Sequence, residues 1–112
     1  MEELLVNYLR FIEEEMDSEK KYDPDTVISK QFDEILDEMD FKIATIKFEI
    51  DALVEIPRSP SNNNMTLREL VTRISSLPKI NKAEAPAFMK KKKGELARIA
   101  REMAADLQNM FG

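Results

Sequence analysis

Apolar residues return every three or four positions through most of this chain and do not alternate one by one. That is the period of a helix with one buried side; a half-buried strand needs a period of two. Leu5, Tyr8, Leu9, Ile12 and Met16 keep the helical period in the first segment, and Ile43, Ile46, Ile50 and Leu53 keep it in the second. Leu67, Leu70 and Ile74 resume it after a break. The isoleucines lower helix propensity slightly, but the spacing outweighs that penalty. The breaks carry their own chemistry. Asp23-Pro24-Asp25 is a turn signal, and Pro57, Ser59, Pro60, Ser61 and Asn62-Asn63-Asn64 make a loop. Thr66-Leu67-Arg68-Glu69 then has the form of a capping box, in which the threonine oxygen accepts from the Glu69 amide and the Glu69 side chain reaches back. The helix it opens should end before Pro78. The second helical segment spans about residues 31–55, with an interruption expected near Asp37 to Asp40. The fold class is therefore all-α, a small bundle of four to five helices.

A last helix is expected from about Pro86 to Met110, since proline suits a first helical position. Met89, Leu96, Met103 and Met110 recur every seven residues, a coiled-coil-like seam. Ala97, Ala100, Ala104 and Ala105 permit close approach of another helix. Lys90 to Lys93 stack positive charge towards the helix's positive end, and Gly94 follows at once. Both disfavour helix, so a break is expected near Lys93-Gly94.

Net charge is −5, and it is split. Residues 1–57 carry 6 Lys/Arg against 17 Asp/Glu, and residues 58–112 carry 11 against 5, giving −11 and +6. Either the basic half folds back on the acidic half, or the two meet different partners. The absences are as informative. There is no cysteine for disulfides, thiolate chemistry or metal, and no histidine for general base or metal ligand. Two glycines cannot build a phosphate-cradling loop. These argue against an enzyme. No run of about 18 apolar residues marks a membrane span, and the acidic start does not read as a secretory signal. A cytoplasmic protein is expected.

The acidic cluster Asp33, Glu34, Asp37, Glu38 and Asp40 offers oxygen ligands to a hard cation. It lacks the alternate acidic positions and mid-loop glycine of a calcium loop, so it reads as a solvated face. No metal or other cofactor is expected. Lys90, Lys91, Lys92 and Lys93 are candidate phosphate-binding residues, with Phe88 beside them for stacking. Glu95, Glu102 and Asp106 interrupt that basic face, so nucleic acid is the secondary reading.

From Phe32 to Ile74 the order of features resembles an acyl carrier protein. Phe32 and Ile35 precede an acidic turn; the stripe Ile43, Ile46, Ile50 and Leu53 follows; Glu55-Ile56-Pro57 closes it; and Thr66 to Ile74 is similar to a carrier's last short helix. The resemblance implies residues 1–80 as a carrier-like helical domain; residues 81–112 lie outside it and read, from their own spacing and charge, as a basic amphipathic helix packed on it or on a partner. A carrier has Asp-Ser-Leu where this chain reads Met39-Asp40-Phe41. Without that serine the resemblance implies a scaffold with no prosthetic group. Ser18 follows Asp17, but no apolar stripe begins there. In carriers the acidic helix after the serine is read by basic partners; here Lys42 and Lys47 dilute it. The expected function is a non-catalytic protein-interaction module, a diverged carrier-like protein whose partner is another protein or a second copy of itself. Asp37, Glu38, Met39, Asp40 and Phe41, with Met89, Leu96, Met103 and Met110, are the candidate partner-binding residues. The alternative is a small helical regulator that binds nucleic acid through the basic tail.

Overall fold

The computed structural model describes residues 2–15, 22–31 and 35–111. Among them are five α-helices: α1 Glu2–Glu15, α2 Ile28–Gln31, α3 Ile35–Ala52, α4 Leu67–Ile74 and α5 Ala85–Phe111. A 3₁₀ turn, Pro60–Asn64, separates α3 from α4, and no strand occurs among the described residues. The chain is an all-α bundle.

α3 is the central element, lying against α1 and also against α5. At about 100° per residue, Phe41, Ala44, Thr45 and Phe48 share one side of it. Ala44, Thr45 and Phe48 are buried, with Phe41 packed against the same core. α1 meets this side with Leu5, Tyr8 and Ile12, all buried. The Tyr8 ring stacks on Phe48 at 4.4 Å and on Phe41 at 6.1 Å between centroids. Ile43, Ile46 and Ile50 point the opposite way. Of these only Ile46 is buried, and it lies outside the main apolar cluster. The stripe legible in the sequence is thus the second apolar side of α3, and the main core uses the other. Ile50 and Leu53, expected from their spacing on a buried side, are only half-buried, whereas Leu67 and Leu70 are buried. Met16 and Phe32 lie outside the described residues.

α3 runs through Asp37 to Asp40 without the expected interruption. It ends where Leu53 takes a left-handed conformation, φ 53°, and the Val54 amide donates back to the Glu49 carbonyl at 3.3 Å. That is a helix-ending turn normally given to glycine. The Ile80 amide donates to the Leu53 carbonyl at 2.7 Å and fixes the later turn against it.

α4 begins as its sequence dictates. Thr66 accepts from the Glu69 amide and the Glu69 carboxylate accepts from the Thr66 amide, each at 3.1 Å. Leu67, Leu70, Val71 and Ile74 form its buried face. The segment before α2 is tied to it. Asp23 accepts from the Asp25 amide and the Thr26 hydroxyl, bonds that hold its carboxyl below the usual range, the Thr26 bond foremost. The Ile28 amide donates to the Met65 carbonyl, and Arg68 pairs with Asp25 at 2.7 Å.

α5 passes unbroken through Lys90 to Lys93 and Gly94, correcting the expected break. The lysines lie beyond the first turn, where the dipole penalty fades. Two of them also have carboxylate partners, Lys91 with Glu55 and Lys92 with Glu49.

Candidate functional site

Behind the C-terminal end of α3 lies a buried ionic clasp. Glu49 is fully buried, on the side of α3 between the core and α5. One carboxylate oxygen accepts from the Ile56 amide at 2.8 Å and takes the Lys92 ammonium at 3.0 Å; the other takes the Arg58 guanidinium at 2.5 Å. Lys92 is 2% exposed, also faces Glu95 at 3.5 Å and Glu55 at 3.8 Å, and stands 5.6 Å above the Phe88 ring. Lys91 donates to Glu55 at 2.8 Å. That bond holds the Glu55 carboxyl below the usual range and raises the Lys91 ammonium above its own. Three carboxylates thus meet three cations. The acidic half of the chain supplies Glu49 and Glu55, the basic half supplies Arg58, Lys91, Lys92 and Glu95, and the two halves are thereby joined by ion pairs.

Two of the four candidate phosphate-binding lysines are therefore engaged. Lys92 is enclosed and Lys91 is paired; Lys90 and Lys93 are exposed. The heptad seam also needs correcting. A seven-residue repeat drifts about 20° per turn of the pattern on a straight helix. Met89 and Leu96 consequently lie at the edge of the packed side, half-buried, while Phe88, Lys92 and Ile99 occupy its middle. Met103 continues that line half-buried, and nothing is described of the Met110 side chain. Beyond Ile99 no residue from 100 to 109 is buried, and Leu107 is 36% exposed.

The second feature is a half-open cleft of about 390 Å³ between α1, α2, α3, α4 and the loop of residues 56–63. Ile28, Phe41, Ile56 and Leu70 supply its apolar wall. Tyr8 and Thr45 place a hydroxyl pair within it, 2.6 Å apart. Thr45 spends its proton on the Phe41 carbonyl at 2.8 Å, so Tyr8 must be the donor between them. Burial raises the Tyr8 phenol well above its ordinary value, so it stays neutral. Lys42, Arg58, Ser59, Asn62 and Asn63 line the polar part. Among the described residues Lys42 has no ion-pair partner.

Of the first group of candidate partner residues, Phe41 lines this cleft, and Met39 and Asp40 are half-buried on α3. The Asp37 and Glu38 side chains, with Asp33 and Glu34, lie outside the described set. Among the described residues no three acidic side chains are grouped to hold a metal. No described helix is long and apolar enough to cross a membrane. Sequence reasoning missed Glu49 and Arg58, and it read Lys92 as a phosphate ligand where the structure pairs it with Glu49. A signal existed for Lys92, which stands four residues after Phe88 and seven before Ile99 on one helical side. A lysine there needs a buried anion.

No family model matches the chain, and no curated protein or solved structure is significantly similar to it.

Proposed function

We propose that this chain is a non-catalytic protein-interaction module, carrier-like in scaffold and without a prosthetic group, whose contact surface is the far end of α5. One observation carries the reading. The first half of α5 is clasped to α3 through Lys92, while no residue from 100 to 109 is fully buried and Met103 and Leu107 extend apolar surface there. At about 1.5 Å per residue, Ala100 to Phe111 is an arm some 18 Å long. A helix with an apolar strip and no packing surface is marginal in water, so such an arm gains stability from a partner. The partner is another protein or a second copy of the chain. The carrier-like part of the reading draws on the order of elements: a first helix, a long intervening segment, a long α3, and a short capped α4. We place the protein in the cytoplasm, since a chain without cysteine gains nothing from an oxidising compartment.

Nucleic-acid binding through Lys90 to Lys93 is the weaker reading, because Lys91 and Lys92 are held by Glu55 and Glu49. A photo-crosslinking residue at Leu107 or Met103, expressed in the native host, tests the main one. Protein adducts at those positions, absent when the probe stands at exposed Arg73 on α4, are the expected result. The adduct's mass separates self-pairing from a different partner. Equal adducts at all three positions, or none, would overturn the reading.

A further inference from the structure

The cleft beside α3 stands apart from the α5 arm, and its chemistry defines a ligand. Its wall is aromatic as well as aliphatic: Phe41 lies nearly parallel to Tyr8, 15° between ring planes, so the side presented is flat. At about 390 Å³ it falls in the range of small-molecule sites and is too small for a folded partner element. The polar side is cationic. Arg58 is half-exposed there and shares its charge with Glu49, whereas Lys42 on α3 is exposed and has no carboxylate partner among the described residues. Among the described residues no carboxylate lines the cleft, and the Asn63 amide stands exposed beside its polar part. A flat apolar wall beside an exposed ammonium, unpaired among the described residues, matches a planar ring that carries one negative charge.

We propose that this cleft binds small aromatic carboxylates. The ring lies against Phe41 and Ile56, the carboxylate pairs with Lys42, and the neutral Tyr8–Thr45 pair stays intact behind it. The Lys42 position is exposed, so replacing it leaves the core alone.

Titrating the full-length labelled protein with 2-naphthoate, followed by NMR, is the direct test. Shift changes should concentrate on Ile28, Phe41, Thr45, Ile56 and Leu70, with residues of the α5 arm unmoved. The neutral isostere 2-naphthalenemethanol and the Lys42→Met variant should each weaken binding about fivefold, the size expected of one exposed charge contact. An unchanged spectrum of free Lys42→Met establishes that it folds. The proposal is overturned by three results: no shifts at the cleft up to the solubility limit, equal affinity for acid and alcohol, or undiminished affinity in Lys42→Met. None of these outcomes bears on the crosslinking at Leu107, so the two readings fail separately.

Discussion

Glu49 and Lys92 form the contact on which the rest depends. A buried ion pair adds little over an apolar pair of equal volume, because both charges lose their hydration, but removing one partner strands the other. Lys92→Ala should therefore cost about 3–5 kcal/mol in urea melts. Glu49→Leu should cost a similar amount, since it also leaves the Ile56 amide without its acceptor. Combined with Lys92→Met, it should cost clearly less than the two single changes added together. Strict additivity in that cycle would show that the two groups do not interact. The tyrosines give an independent reading at the same scale. The chain has two and no tryptophan, and burial raises both phenols. An acid whose folded pKa is raised leaves stability unaffected below its unfolded value, near 10, and weakens it as pH rises beyond. Absorbance near 295 nm should thus stay flat above about pH 10 until the protein unfolds, and both tyrosinates should appear with unfolding. A rise of one tyrosinate in the still-helical protein would mean that Tyr8 or Tyr22 is open to solvent.

Among the elements, α5 shows most clearly what the sequence disclosed and what it hid. Its extent was legible from Pro86 and the recurring apolar residues, as α4 was from the Thr66–Glu69 box. Its continuity was not, because the case for a break weighed Lys90 to Lys93 as free charges. Glu49 and Glu55 lie some forty residues earlier, and no local pattern couples them to the lysines. The same limit affected α3. Its isoleucine stripe was visible, but a helix packed on two sides is apolar on both, and periodicity alone cannot say which side meets the main core. Phe41, Ala44 and Phe48 took that role through Tyr8, a contact that only the fold supplies. The cleft was out of reach of the sequence, since α1, α2, α3, α4 and a loop each contribute to it. Gly94 offers a clean test on α5. A Cβ added there meets nothing within 4 Å, and the residue has ordinary helical backbone. Gly94→Ala should raise stability by about 0.5–1 kcal/mol, measured by thermal or urea unfolding. A loss would show that α5 bends at this point in solution.

Over the whole molecule, the charge split and the two-sided α3 lead to one arrangement. α1 covers one side of α3, the first half of α5 covers the other, and the clasp binds the basic half of the chain to the acidic half. The second half of α5 is left as an arm. Acid should loosen the arrangement from the surface inward: Glu55 and Asp23 are held below their usual range, so the stability they add is present above the ordinary carboxylate values and lost as pH falls below them. The central claim is that α5 is one helix with two mechanical fates, anchored to Ile99 and free beyond it. Native-state hydrogen exchange along α5 measures this residue by residue. Amides from about Phe88 to Ile99 should exchange only through global unfolding, and should lose that protection in Lys92→Ala. Amides from Arg101 onward should exchange through local opening, with far lower protection and no dependence on Lys92. Uniform protection along the whole helix, or none before Ile99, would contradict the account.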